Sequence, residues 1–190
     1  MPPDIKTPDE FRARCRVHLH FLLSEFGFEE MPLSDHSLRD LGGEPFRTVF
    51  VKPPIYYVLR GTNYGRAAAA AVGRQSAESP TPELFSIHAV TEAATAFGML
   101  SVDVIPRAPT GPGQEIWIAY LANVVRHLTP GLISDSEHLW TELHRLRAQN
   151  WERWLDENYT ANRDSVRHWM DTPVVGRIVT DWLRKRGYET

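Results

Sequence analysis

Apolar positions recur at helical spacing from the start of the chain. Phe11, Cys15, Leu19, Leu22 and Phe26 share one face, the stripe of an amphipathic helix set against a core. Ahead of it, Thr7-Pro8-Asp9-Glu10 reads as an N-cap, a proline at the first helical position and a glutamate that closes a capping box. Gly27 stands where a left-handed residue would end the helix. Phe28–Met31 then starts a strand, and the polar stretch Ser34–Glu44 with Gly42-Gly43 reads as a loop. After that the period changes. Phe46–Lys52 and Ile55–Arg60 are rich in aromatic and β-branched residues and flank Pro53-Pro54, which predicts a hairpin with the prolines at its turn. Gly61–Gly65 predicts a second turn. Ala67–Val72 has alanine's helix preference, but the space between Gly65 and Gly73 is too short for a stable helix, so it predicts a further strand.

The second half is mostly helical in pattern. Residues 74–83, with Pro80 and Pro82, have the composition of a linker. A helix is expected from Ser86 to Phe97, ended by Gly98. Residues 106–114 form a loop by composition. A helix from Glu115 to Leu128 follows, stopped by Pro130-Gly131. Ser134-Asp135-Ser136-Glu137 is a second capping box, opening a long helix to Asn158. Two more helices are expected, near Asp164–Met170 and after Thr172-Pro173; the last carries Val175, Ile178, Val179, Trp182 and Leu183. The expectation is an α+β fold: an N-terminal helix, an antiparallel meander sheet of three to four strands, and a mainly helical C-terminal half. Residues 1–160 would form one domain, with 161–190 a helical extension packed on it.

Composition narrows the function. Of 190 residues, 42% are hydrophobic and 24% charged, which is globular and not disordered. The single cysteine excludes an internal disulfide framework and fits a reducing compartment. No apolar run approaches the roughly 20 residues of a membrane-spanning helix, and residues 1–6 lack the profile of a secretory signal; the expected location is cytoplasmic, with no membrane partner. The net charge is −3, with signs well mixed and only Arg184-Lys185-Arg186 locally basic. A nucleic-acid partner is therefore not expected.

Reactive constellations are hard to find. His18 and His20 are two apart and point away from each other on a helix. His138, Glu142 and His144 do not make a His-Glu-x-x-His motif, because the second histidine falls off the first one's face. A site assembled from His88, His127, His138 and Glu142 is the enzyme alternative. Cys15 aligns with the apolar stripe and reads as a structural thiol. No Gly-x-Ser-x-Gly elbow, dinucleotide fingerprint or phosphate loop occurs. No catalytic residue, metal site or cofactor is assigned.

The aromatics point instead to recognition, since Tyr, Trp and Arg anchor interfaces. The candidate binding residues are Tyr56, Tyr57, Arg60 and Tyr64 around the second turn, with Asp135 and Glu137 at the later cap. Phe21–Phe28, the Val49–Leu59 hairpin, Tyr64-Gly65, and Leu132-Ile133-Ser134-Asp135 with Trp140 and Leu143 together resemble a broad group of small bacterial α/β proteins, some of them immunity proteins of toxin–immunity loci. That resemblance covers residues 11–147 and implies a protein partner, a toxin among them; no catalytic residue carries over. The expectation is thus a non-enzymatic, protein-binding module. A homodimer through the Trp169, Val175, Ile178 and Trp182 stripe is a third expectation.

Overall fold

The computed structural model describes residues 5–32, 45–62, 67–76, 79–111, 113–134, 137–170 and 175–188. Helix α1, Pro8–His18, begins as its sequence demands: Thr7 accepts from the Glu10 amide at 3.2 Å and the Glu10 carboxylate accepts from the Thr7 amide at 3.1 Å. The apolar stripe continues into α2, His20–Ser24, after a break at Leu19. Gly27 has φ +67° and turns the chain into β1, Glu29–Glu30.

The sheet has five antiparallel strands in sequence order. They are β1, β2 (Arg47–Lys52), β3 (Ile55–Thr62), β4 (Ala67–Ser76) and β5 (Ser79–Ser86). The hairpin about Pro53-Pro54 and the alanine strand stand as expected. The stretch 74–83 is a correction: it is not a linker, because Arg74–Ser76 end β4 and residues 79–83 begin β5. Its prolines are tolerated because β5 is an outer strand, where an absent amide costs no ladder bond. Gly61 and Thr62, expected in a turn, pair with Ala68 and Ala67. The expected loop at Ser34–Glu44 lies outside the described residues.

Register explains the core. Phe50, Tyr57, Val72 and Phe85 are paired in one row across four strands, and all are buried. The Tyr57 hydroxyl lies 2.9 Å from that of Thr129 on α4, Gln114–Ser134. Thr129 already donates to the Val125 carbonyl at 2.6 Å, so Tyr57 must be the donor. The neighbouring row on the same face reads Thr48, Leu59 and Ala70, and the next pairs Gly61 with Ala68. Side-chain size therefore falls along one face of the sheet.

Helix α3, Ile87–Ala96, is capped by Ser86 and ends before Gly98 at φ +69°, as expected. Helix α4 corrects a second expectation, since Pro130 lies inside it and the helix runs on to Ser134. An interior proline costs about 3 kcal/mol. Burying Leu132, 2% exposed, returns about 1.5–3 kcal/mol, and Leu128 is buried one turn earlier; packing offsets the break.

The chain divides into two compact units, Met1–Leu139 and Trp140–Thr190. The boundary drawn at 160/161 falls within the second unit, because α5 (Glu137–Asn158) supplies residues to the core that α6 (Arg163–Trp169) and α7 (Val175–Lys185) complete. That core is Leu155, Val166, Val179, Trp182 and Leu183, with Trp154, Tyr159 and Trp169 packed against it. Trp182 donates to Asp156 at 3.0 Å. The residues expected to cap α5 and α7, Asp135-Ser136 and Thr172-Pro173, lie outside the described residues. Among the described residues no helix is long and apolar enough to cross a membrane.

Candidate functional site

A groove of about 830 Å³ opens in the first unit where side-chain size runs out. Its floor is Ala68–Ala70 of β4. Alanine is a poor strand former, and five in succession, Ala67–Ala71, leave a strand with little bulk to fill the space beneath the helices. One reason the space persists is the divergence of β5: it pairs with β4 only as far as Ala71↔Ser86, and the chain then turns into α3.

Two helices make the walls. From α3 come Ile87, Thr91 and Thr95 at i, i+4 and i+8; from α4 come Trp117, Leu121 and Val124 at i, i+4 and i+7, with Tyr120 beside them. The segment Val102–Ala108 closes one side with Val102, Ile105 and Ala108. Polar groups here are few and mostly engaged. The Thr91 hydroxyl donates to the Ile87 carbonyl at 2.7 Å, and that of Thr95 to the Thr91 carbonyl at 2.8 Å. Ser86 accepts from the Ala89 amide at 3.2 Å. His88 and Glu92, exposed on α3, face each other at 3.3 Å. Trp117 and Tyr120 meet edge to face with ring centroids 6.0 Å apart, each half-buried. The site is a concave, mostly apolar seat with a few polar groups, the common form of a small-molecule pocket.

A scaffold contact holds the end of β4 in place. Gln114, 2% exposed, donates through Nε2 to the Ala67 carbonyl at 3.2 Å. Gly61 makes room for it: a Cβ there would stand 2.3 Å from Gln114 Nε2 and 2.9 Å from Phe46 Cβ.

Among the described residues, none of the binding candidates singled out from sequence lines this groove; of the enzyme alternative's residues, His88 does. Tyr57 is a correction: it is fully buried, packs on Phe28 at 5.5 Å and bonds to Thr129, so it is core and offers nothing to a partner. Tyr56 is half-buried and donates to Gln75 at 2.6 Å. Arg60 is half-buried on the same sheet face. Glu137 is exposed and ion-paired with Arg74. Tyr64 and Asp135 lie outside the described residues. Sequence reading missed Trp117, Thr91 and the alanine floor as a site; the signal was there in five alanines placed in a strand.

A second, charged cleft of about 430 Å³ is lined by Asp9, Arg12, Arg16 and Glu30. Its charges cancel in place: Arg12 pairs with Asp9, and Arg16 forks onto Glu30 at 2.6 and 3.1 Å. Cys15 is buried, and burial pushes its thiol pKa up, with Glu30 and Glu115 adding to the effect; it is not poised as a nucleophile. His18 bonds to Glu115 at 2.8 Å, and His127 and His138 are exposed. Among the described residues no three His, Cys, Asp or Glu gather as metal ligands would. The stripe Trp169, Val175 and Trp182 is occupied within its own unit, around Leu155 and Val166. Comparison with known proteins finds no matching family model, no matching curated protein and no matching solved structure.

Proposed function

We propose that this chain is a non-enzymatic binding protein whose seat is the alanine-floored groove between β4, α3 and α4, and that it holds a small, mostly apolar molecule there. The observation that carries this reading is the taper of the sheet face from Phe50, Tyr57, Val72 and Phe85 to Gly61 and Ala68. Its volume of about 830 Å³ lies within the 300–1,000 Å³ of typical ligand sites. The neutral dye Nile red tests it: a single saturable fluorescence transition is expected, lost in Ala70→Leu while the far-ultraviolet circular dichroism stays native. Dye binding that is untouched by filling the groove would sink the assignment.

A second reading is a protein partner, and a specific feature favours it. Val102 is 66% exposed at the groove's edge, with Phe97 and Val104 exposed on either side of it in sequence. A protein surface covers such residues, whereas a small molecule within the groove leaves them wet. The immunity-protein resemblance makes a toxin the natural partner to try. Protection of cells from a toxin encoded beside this chain, abolished by Val102→Asp, is the expected outcome; no protection by the unaltered protein removes this reading.

A further inference from the structure

The ligand class follows from which polar groups in the groove are still unused. This step rests on the groove being the seat. The threonine hydroxyls lining α3 give their hydrogens to helix carbonyls; Ser86 accepts the Ala89 amide as a cap and keeps its own hydroxyl hydrogen, so the donors on that wall are Ser86 and His88, which faces Glu92. On α4 two donors stand side by side. Trp117 and Tyr120 touch each other through their rings, and among the described residues neither the indole N–H nor the phenol O–H has a hydrogen-bond partner. Indole nitrogen can only donate, and a phenol donates readily. Both rings present apolar faces as well, so each can pack on an apolar body and bond to its polar end.

Charge settles a further property. The ionisable residues lining the groove are His88 and Glu92, set against each other at 3.3 Å. Their side chains are 82% and 68% exposed, so water screens both and neither stands inside the groove as a counter-ion for a carboxylate, a phosphate or an amine. Desolvating an ion without a partner is costly, so the occupant is uncharged.

We propose that the groove selects a neutral, mostly apolar molecule bearing a hydrogen-bond acceptor, of the ketone, ester or ether class, with the apolar body over Ala68–Ala70 and the acceptor held by Trp117 Nε1 and the Tyr120 hydroxyl. A donor left unpaired beside an apolar analogue is the penalty that produces discrimination.

Two probes of matched shape test this with the full chain: 2-acetylnaphthalene, which carries a carbonyl, and 2-ethylnaphthalene, which does not. The unaltered protein is expected to hold the ketone about tenfold more tightly, a difference of roughly 1.4 kcal/mol. In the double variant Trp117→Phe with Tyr120→Phe, which removes both donors and leaves an aromatic ring at each position, the two dissociation constants should become equal. Circular dichroism and thermal unfolding of the variant establish that it is folded. Equal affinities in the unaltered protein, both abolished by Ala70→Leu, would overturn the acceptor preference and leave the groove as the seat. A ketone preference that survives in the double variant would also overturn it. Neither probe binding, or binding indifferent to Ala70→Leu, would overturn the groove and the preference together.

Discussion

Residue size separates the two compact units. In the first, β4 lays Ala68–Ala70 under two helices, and a groove stays open above them. In the second, α5, α6 and α7 meet through large aromatics: Trp151, Trp154 and Trp169 lie with ring centroids 5.0–5.9 Å apart, and Tyr159, Trp182 and Tyr188 lie 4.8–5.7 Å apart. Arg163 and Arg186 stand over the second trio, and Arg186 also pairs with Asp156. A unit built from one long helix and two short ones gains most from large side chains, because each buried ring contributes more than a methyl can. A sheet with a buried row of large side chains elsewhere can leave one end unfilled. The difference teaches where space remains: packing is incomplete over Ala68–Ala70, and the tryptophan-rich end, despite its interface-like composition, holds itself together.

That contrast can be broken by substitution. The largest effect is expected for Trp182→Ala, which removes a ring 4% exposed and its bond to Asp156. The loss should be about 3–5 kcal/mol, read as a lower urea midpoint for the near-ultraviolet dichroism of the aromatic cluster. An unchanged midpoint would show that the second unit does not depend on its rings. Gly176→Ala comes next. Its Cβ would sit 2.2 Å from the Met170 carbonyl oxygen, so backbone must shift, at about 1–3 kcal/mol by the same measurement.

In the first unit, Tyr57→Phe should lower stability by roughly 0.5–1.5 kcal/mol at neutral pH. It should also change the alkaline limb. Burial raises the Tyr57 phenol above its ordinary value and likewise the Cys15 thiol. In the unfolded chain these groups ionise first, so their contribution is complete below the ordinary values, about 8.5 for the thiol and 10 for the phenol, and is lost as pH rises past them. The unaltered protein should therefore lose stability above about pH 8.5, more steeply above about 10; Tyr57→Phe should flatten the second part, visible in urea midpoints across that range. The smallest effect, and the most telling, is Ala69→Val. A β-branched residue at this exposed strand position should add up to about 1 kcal/mol and leave Nile red binding unchanged, because Ala69 pairs with Arg60 on the face opposite Ala68 and Ala70. Loss of binding in this variant would show that the dye does not sit on the Ala68 and Ala70 face.

Much of the architecture was legible because local chemistry and tertiary fold agree there. Thr7, Pro8 and Glu10 specify a helix start that the backbone follows, and Pro53-Pro54 sits between two β-rich runs that pair as written. Legibility failed where tertiary context overrode a local signal. Pro80 and Pro82 read as a linker because a proline's cost depends on whether its strand lies at the sheet's edge, which the local sequence does not encode. Pro130 read as a stop because the burial of Leu132 is a fact about the partner surface. Tyr57 and Tyr56 were bound to point to opposite faces of β3; which one faces α4 depends on where that helix lies. The groove was hidden for a related reason. A cavity is a shortage of atoms between elements, and Ala68, Thr91 and Trp117 become neighbours only after β3–β4 pairing and the turn at Ser86 have formed.

Pro130 has a further consequence for how α4 comes apart. Without an amide there, the carbonyl of Arg126 loses its usual partner in the ladder, and the turn after it is held by the side chain of Leu132 instead of by a continuous run of bonds. Helix α4 should thus exchange its amide hydrogens as two segments, the four residues Gly131–Ser134 opening ahead of the part that carries Trp117 and Tyr120, so that fraying at the far end never reaches the groove wall.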